Sequence, residues 1–327
     1  MTGRPGPLFP HLAGGPVRLQ QPCGPEVLDL PAVRVDDERL ADALDPTSRM
    51  VRLYSHAIWS EGPTWWERER TLVFSDVRGR QVLGRREDGA VDVLLDATPY
   101  GNGNAVTLDG ALVHCEHGRR GISRTTGGST VVLADRTAGG RLNSPNDVVV
   151  ASDGAVWFTD PVFGLTQPEE GFMEPAEIDH ESVYRYADGA LTRMADLDGP
   201  NGLAFSPDES VLYVSQTPPG GSAEIVAFDW DGRTLSGRRP FAEVERGIPD
   251  GFTVDRRGWL WSSSEVGVQV LDERGATLGL VPAPHVVSNC TFDAGGSRLF
   301  VTGGSDLLML VLRPGPRHPG SAATTTT

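Results

Sequence analysis

Between residues 51 and 313 the chain reads as one short apolar strand after another, and six of these strands start beside an acidic or amide side chain. The six are Glu61 in SEGPTWW, Asn104 in GNAVTLDG, Asn146 in PNDVVVASDG, Asn201 in PNGLAFSPDE, Asp250 in PDGFTVDRRG and Asn289 in SNCTFDAGG. Their intervals, roughly 40 to 55 residues, fall in the range of propeller-blade repeats. The strands themselves, such as TLVFSD, ALVHCEH, AVWFTD, VLYVSQ, WLWSSS and RLFVTG, are rich in β-branched and aromatic residues. DG and SPDE turns separate them, and no long stretch carries helical periodicity. All-β meanders explain this pattern better than βαβ units do.

Counting strands gives five four-stranded blades and a sixth that is one strand short at its C-terminal end. The segment RLYSHAIW, Arg52 to Trp59, lies ahead of the first blade and is expected to supply the missing strand. Such closure removes two exposed sheet edges. The predicted architecture is a six-bladed β-propeller over residues 51–313. An irregular N-terminal extension occupies residues 1–50, with one short helical piece in DDERLADAL, and a flexible C-terminal tail occupies residues 314–327. A large β-sandwich or β-helix leaves the in-phase residues unexplained.

The innermost strands of a propeller run parallel around a channel, so residues at one phase meet at one mouth. Glu61 and Asp250 would neutralise a divalent cation there, and the amide oxygens of Asn146 and Asn201 would complete an oxygen shell. Such ligation suits calcium first, then magnesium or manganese; zinc accepts carboxylates but usually recruits His or Cys. Each residue taken alone also has a turn reading, since Asn-Gly and Asp-Gly are ordinary turn dipeptides. The shared phase, the Glu at the first position and the Pro before Asn146, Asn201 and Asp250 favour a site. Asn104 and Asn289 fall at its rim as candidate substrate contacts. In CEHGRR, Glu116 and His117 are either further contacts or a solvated turn, and Asp160 in WFTDP ends a strand close by. His56, His180 and His285 are isolated and read as structural.

Composition narrows the partners. A net charge of −15 argues against nucleic acid and against anionic membranes. No apolar run is long enough to span a bilayer, and MTGRPGPLFPHLAGG has no signal-peptide core, so a cytoplasmic location is expected. Cys23, Cys115 and Cys290 are too few and too scattered for a disulfide framework. Every Lys/Arg position is arginine, which removes Schiff-base chemistry and any P-loop. HExxH, paired CxxC, GxSxG and GxGxxG are all absent.

The stretches SEGPTWW, CEHGRR, RLNSPNDVVVASDGAVWFTDP, PNGLAFSPDESVLYVS and PDGFTVDRRGWLW resemble the senescence-marker-protein/gluconolactonase family, from about His56 to Leu312. The resemblance implies a six-bladed propeller with one divalent metal at the top of the channel, and hydrolysis of sugar lactones or related esters. It places Glu61, Asn201 and Asp250 where the family holds its metal, and Asn146 where members use an amide as ligand or substrate contact. Asp250 matches the carboxylate often assigned as catalytic base or nucleophile; it would assist the attack of water on a lactone carbonyl polarised by the metal, with Glu61 as structural ligand or second base and a metal-bound hydroxide as the competing nucleophile. Val162 and Phe163 stand where relatives often have a Pro and an aromatic hydroxyl, and GNAVTLDG lacks the Asn-Gly pair common at that blade. Two alternatives stay open. The same site would serve another ester or phosphotriester hydrolysis, or a non-hydrolytic biosynthetic conversion, above all if the N-terminal arm covers the channel mouth. A non-enzymatic, ligand-binding propeller is the other, since fold alone does not fix function.

Overall fold

A computed structural model of the chain describes residues 18–19, 24–45, 47–218 and 220–314. Six antiparallel sheets form a β-propeller. The first four blades begin with the inner strands Ser60–Trp66, Gly101–Val106, Val148–Val150 and Pro200–Phe205. Phe252–Val254 and Asn289–Phe292 start the fifth and sixth. In the sixth blade Val51–Tyr54 pairs with Asp306–Val311, Met309 opposite Val51 and Leu307 opposite Tyr54, so the N-terminal strand closes the ring as expected. It is shorter than the predicted segment because Asp76 Oδ1 accepts the amides of Ile58 and Trp59, at 3.0 and 3.1 Å, and turns the chain into the first inner strand.

Both faces of each blade pack on neighbours, which is why the strands carry near-continuous apolar runs. Between the third and fourth blades, Trp157 meets Phe205 and Trp230 edge-on, with Leu212, Val214 and Phe228 around them. Burying each such side chain contributes about 1.5–3 kcal/mol. A second device joins the inner strands. The penultimate residue of the second strand of one blade donates to a carbonyl on the inner strand of the next. Ser75 reaches Asn102 O at 2.6 Å, Thr159 reaches Asn201 O at 2.7 Å and Ser215 reaches Asp250 O at 2.7 Å; Cys115 Sγ approaches Asp147 O at 3.6 Å. Ser288 Oγ to Ser60 O, at 2.7 Å, ties the sixth blade to the first. These buried bonds hold the ring of inner strands in register.

The described part of the N-terminal extension runs along the outer edges of three blades and not over the channel mouth. Arg18–Leu19 pairs with the edge of the first blade, Glu26–Val27 with that of the sixth and Arg34–Val35 with that of the fifth. Each pairing covers an edge that would otherwise offer a template for association. The helical piece read in DDERLADAL is the helix Glu38–Ala43; Asp37 caps it by accepting the Arg39 amide, and Leu40 and Ala43 are buried. Residues 1–17 and 20–23, with Cys23, lie outside the described residues, as does most of the C-terminal tail, residues 315–327. Cys115 and Cys290 are free and buried. No helix among the described residues is long and apolar enough to cross a membrane.

Candidate functional site

Cross-blade backbone bonds fix which residues share a level of the channel. Gly103 N donates to Asn146 O at 2.8 Å, Gly202 N to Asp250 O at 3.0 Å and Gly251 N to Ser288 O at 2.7 Å. In this register Glu61, Asn102, Asn146, Asn201, Asp250 and Ser288 occupy one level. Gly62, Gly103, Asp147, Gly202, Gly251 and Asn289 occupy the next. Two of the six residues singled out in the sequence are therefore out of phase. The second blade contributes Asn102, because its inner strand already begins at Gly101, and the sixth contributes Ser288.

Four of the predicted residues come together. Asn146 Nδ2 donates to Asn201 Oδ1 at 2.7 Å, Asn201 hydrogen-bonds the Asp250 carboxylate, and the Asp250 charge acts on Glu61. Glu61, Asn146 and Asn201 are buried, whereas Asp250 keeps part of its surface open to the channel mouth. The Asp250 backbone is clamped on both sides: its amide donates to Ser263 Oγ at 2.8 Å, and its carbonyl accepts Ser215 Oγ and Gly202 N.

Below the cup lies a second carboxylate level. Asp147 Oδ1 accepts the Val148 amide, and its Oδ2 accepts Asn289 Nδ2 across the channel at 3.3 Å. Asn289 Oδ1 in turn accepts the Cys290 amide at 2.7 Å. The other four blades have glycine at this level. A Cβ on Gly251 would sit 2.1 Å from Asn289 Cγ, so the floor has room for only two side chains.

Burial is the main force on all three acids. It pushes Glu61 well above the usual carboxylate range, helped by the charge of Asp250. It pushes Asp250 up to about 8, with Glu170 and Asp147 adding to it, and Asp147 up to about 6. Neither Glu61 nor Asp250 has a cationic side-chain partner among the described residues. No three His, Cys, Asp or Glu side chains converge there as a metal cluster, so the donor set is mixed: two carboxylates and two amides. Two acids without a counter-charge, grouped with two side-chain amides, fit a hard divalent cation.

The remaining candidates are placed elsewhere. Asn104 spends its amide inside the wall, donating to Gly62 O, Ser75 Oγ and Asn102 O. Glu116 is buried and committed to Arg119 and Ser123. His117 lies beside the cup: Nδ1 donates to Glu170 O at 3.0 Å, Asn102 Nδ2 lies 3.2 Å from Nε2, and the ring also bonds Asn146. Burial pushes its pKa down, so a neutral ring braces two ring amides. Sequence reasoning passed over Asn102, Asp147, Ser288 and Glu170. The Asn-Gly pair that GNAVTLDG lacks begins just ahead of it, at Asn102-Gly103, where it matches Asn201-Gly202 and could have been found; nothing local marks Glu170.

Asp160 is fully buried below the loop that carries Asn146 and does not face the channel. Its Oδ2 accepts the Asn143 amide at 2.9 Å, and the Ser144 amide also bonds its carboxyl. Burial pushes it up to about 8, where a carboxyl resembles an amide. Asp160→Ala is therefore expected to cost about 2–3 kcal/mol by orphaning buried donors. Asp160→Asn, which keeps the acceptor oxygen, is expected to cost about 1 kcal/mol or less. Urea unfolding of the two variants checks the order.

The sequence pattern of the SMP-30/Gluconolactonase/LRE-like region matches residues 59–305. A gluconolactonase from Zymomonas mobilis is 32% identical over 292 residues, covering 81% of each chain. A pentonolactonase from Haloferax volcanii is 30% identical over 236 residues, 68% of this chain and 73% of that one. The solved structure of a Xanthomonas campestris protein described as a gluconolactonase superposes with a TM-score of 0.88 at 56% identity, covering 90% of this chain and 100% of that one. With its propeller, its register of inner strands and this match across most of its length, the chain belongs to the SMP-30/gluconolactonase/LRE-like family.

Proposed function

We propose that the protein is a lactone hydrolase whose cup of Glu61, Asn146, Asn201 and Asp250 holds one divalent cation, with Asp250 managing the attacking water. One observation carries the reading: two carboxylates without a cationic partner stand at the open end of the channel, grouped with two amides that hydrogen-bond each other and Asp250. Relatives described as gluconolactonase and pentonolactonase support the substrate class. A divalent cation bound there supplies Lewis acidity toward a carbonyl oxygen under attack. Calcium suits the all-oxygen donor set best, with magnesium, manganese and zinc as its competitors.

The chain's own groups divide the remaining work. Asp250, open to the mouth and fixed through its backbone, is placed to orient water and accept its proton. Glu61 is deeper, and Gly62 N donates to its Oε2 at 3.0 Å, which suits a ligand more than a base. His117 has both ring nitrogens engaged and serves to hold Asn102 and Asn146 in place.

A panel of lactones assayed after chelation, then with calcium, magnesium, manganese or zinc restored, tests this. Hydrolysis should be lost on chelation and return with at least one of these cations. Turnover indifferent to chelation would count against the cup. Tight cation binding with no lactone hydrolysed would favour a different ester or a non-hydrolytic conversion.

A further inference from the structure

The connection from Asp160 to Ser182 leaves the third blade and crosses the top of the second. Gly164 packs on His117, and Phe172 meets Tyr100 edge-on at 5.3 Å. Arg120 Nη1 lies 3.2 Å from a Glu174 carboxylate oxygen. At the far reach of this connection, Glu170 Oε1 lies 3.1 Å from Arg78 Nη2, on the turn that ends the second strand of the first blade. Arg78 in turn stacks 4.9 Å over the Trp59 ring, two residues before Glu61. The Glu170 carbonyl accepts His117 Nδ1, and that same imidazole touches Asn102 on the ring of inner strands. Glu170 is thus held through its backbone and its carboxylate, one imidazole's width from the cup.

Its charge acts on both Glu61 and Asp250. Packing alone gives no reason to set a further acid against Glu61, Asp250 and Asp147, since like charges repel most where water is scarce. Arg78 offsets that repulsion, and the Glu170 carboxyl group keeps acceptor positions to spare beyond this one pair. Glu61, Asn146, Asn201 and Asp250 form the cup at the starts of the inner strands, whereas Glu170 comes to it on the connection that crosses the second blade. Hydroxyl donors satisfy such a carboxylate, and a bare hydrocarbon ring would strip its water and return nothing.

We propose that Glu170, steadied by Arg78, accepts hydrogen bonds from ring hydroxyls of the substrate and sets a preference for polyhydroxylated over unsubstituted lactones. The proposal rests on the lactone reading above. Its test compares kcat/KM for D-glucono-δ-lactone and δ-valerolactone in the wild type, Glu170→Gln and Arg78→Gln. In Glu170→Gln the ratio of the two values should fall about 10-fold or more, mostly through KM of the hydroxylated substrate, as expected for loss of a charged hydrogen-bond partner. Arg78→Gln should shift the ratio the same way. An unchanged ratio in Glu170→Gln, whether activity is kept on both substrates or lost equally on both, overturns the proposal. Equal loss would instead assign Glu170 to the chemistry or to folding. A wild type inactive on both lactones overturns the underlying reading, and this proposal with it.

Discussion

Asp250→Asn is expected to lower kcat/KM on any lactone the wild type hydrolyses by about a thousandfold, the range found when a positioned base is removed. The substitution keeps the side chain's shape. It leaves untouched the backbone clamp formed by Ser263 Oγ, Ser215 Oγ and Gly202 N. The ring of inner strands should therefore survive, and far-ultraviolet circular dichroism should be unchanged. What disappears is one of the two acids of the cup and the proton acceptor at the mouth. Removing that acid also relieves Glu61, which Asp250 pushes upward. Without added cation, then, the variant should melt at the same temperature as the wild type or higher, while binding calcium less tightly. Saturating calcium separates the two losses: restored binding without restored turnover assigns Asp250 to the handling of water. Activity within about 10-fold of wild type under those conditions would sink that role.

That Glu61, Asn146, Asn201 and Asp250 come together was legible because each stands at or just before the start of an inner strand, where phase is carried by the sequence itself. Phase failed at two blades, for a different reason at each. In GNGNAV, Asn102 and Asn104 stand two apart and share a face of the strand, so alternation cannot choose between them. Only the bond from Gly103 N to Asn146 O selects Asn102 for the ring. In SNC the ambiguity is a single residue, and a one-residue shift changes which side chain faces the axis. There Ser288 takes the ring position, and Asn289 drops to the floor beside Asp147. The closing strand and the helix of the extension followed from local pattern alone. The donors Ser75, Cys115, Thr159 and Ser215 were also visible, at one place in TLVFSD, ALVHCEH, AVWFTD and VLYVSQ. A thiol among hydroxyls hid the repeat. Glu116 and Asp160 show the limit of reading charge: both are acids at strand ends, and both are turned inward to satisfy neighbours. Glu170 had no local mark at all, because only the path of a long connection brings it to the cup.

Gly62→Ala is expected to be the most damaging small substitution in the inner ring. Gly62 has φ +50°, a conformation in which a Cβ costs about 1–2 kcal/mol. Its Cβ would also lie 2.2 Å from Asn102 O, and that oxygen cannot retreat, because Ser75 and Asn104 both donate to it. Forcing an atom into such a packed place costs a further ~1–3 kcal/mol. Gly62 in turn donates its amide to Glu61 and offers its carbonyl to Asn104, so any relaxation displaces the cup. The variant should lose about 3 kcal/mol of stability in urea and bind calcium about 10-fold more weakly by calorimetry. Gly127→Ala separates the two causes. Gly127 has φ +57° with nothing within 4 Å of the added carbon, so it carries the dihedral cost without the collision. It should lose about 1–2 kcal/mol and leave calcium binding unchanged. If Gly62→Ala costs no more than Gly127→Ala, the inner ring is free to shift, and the tight placement of Glu61 argued from its neighbours is wrong.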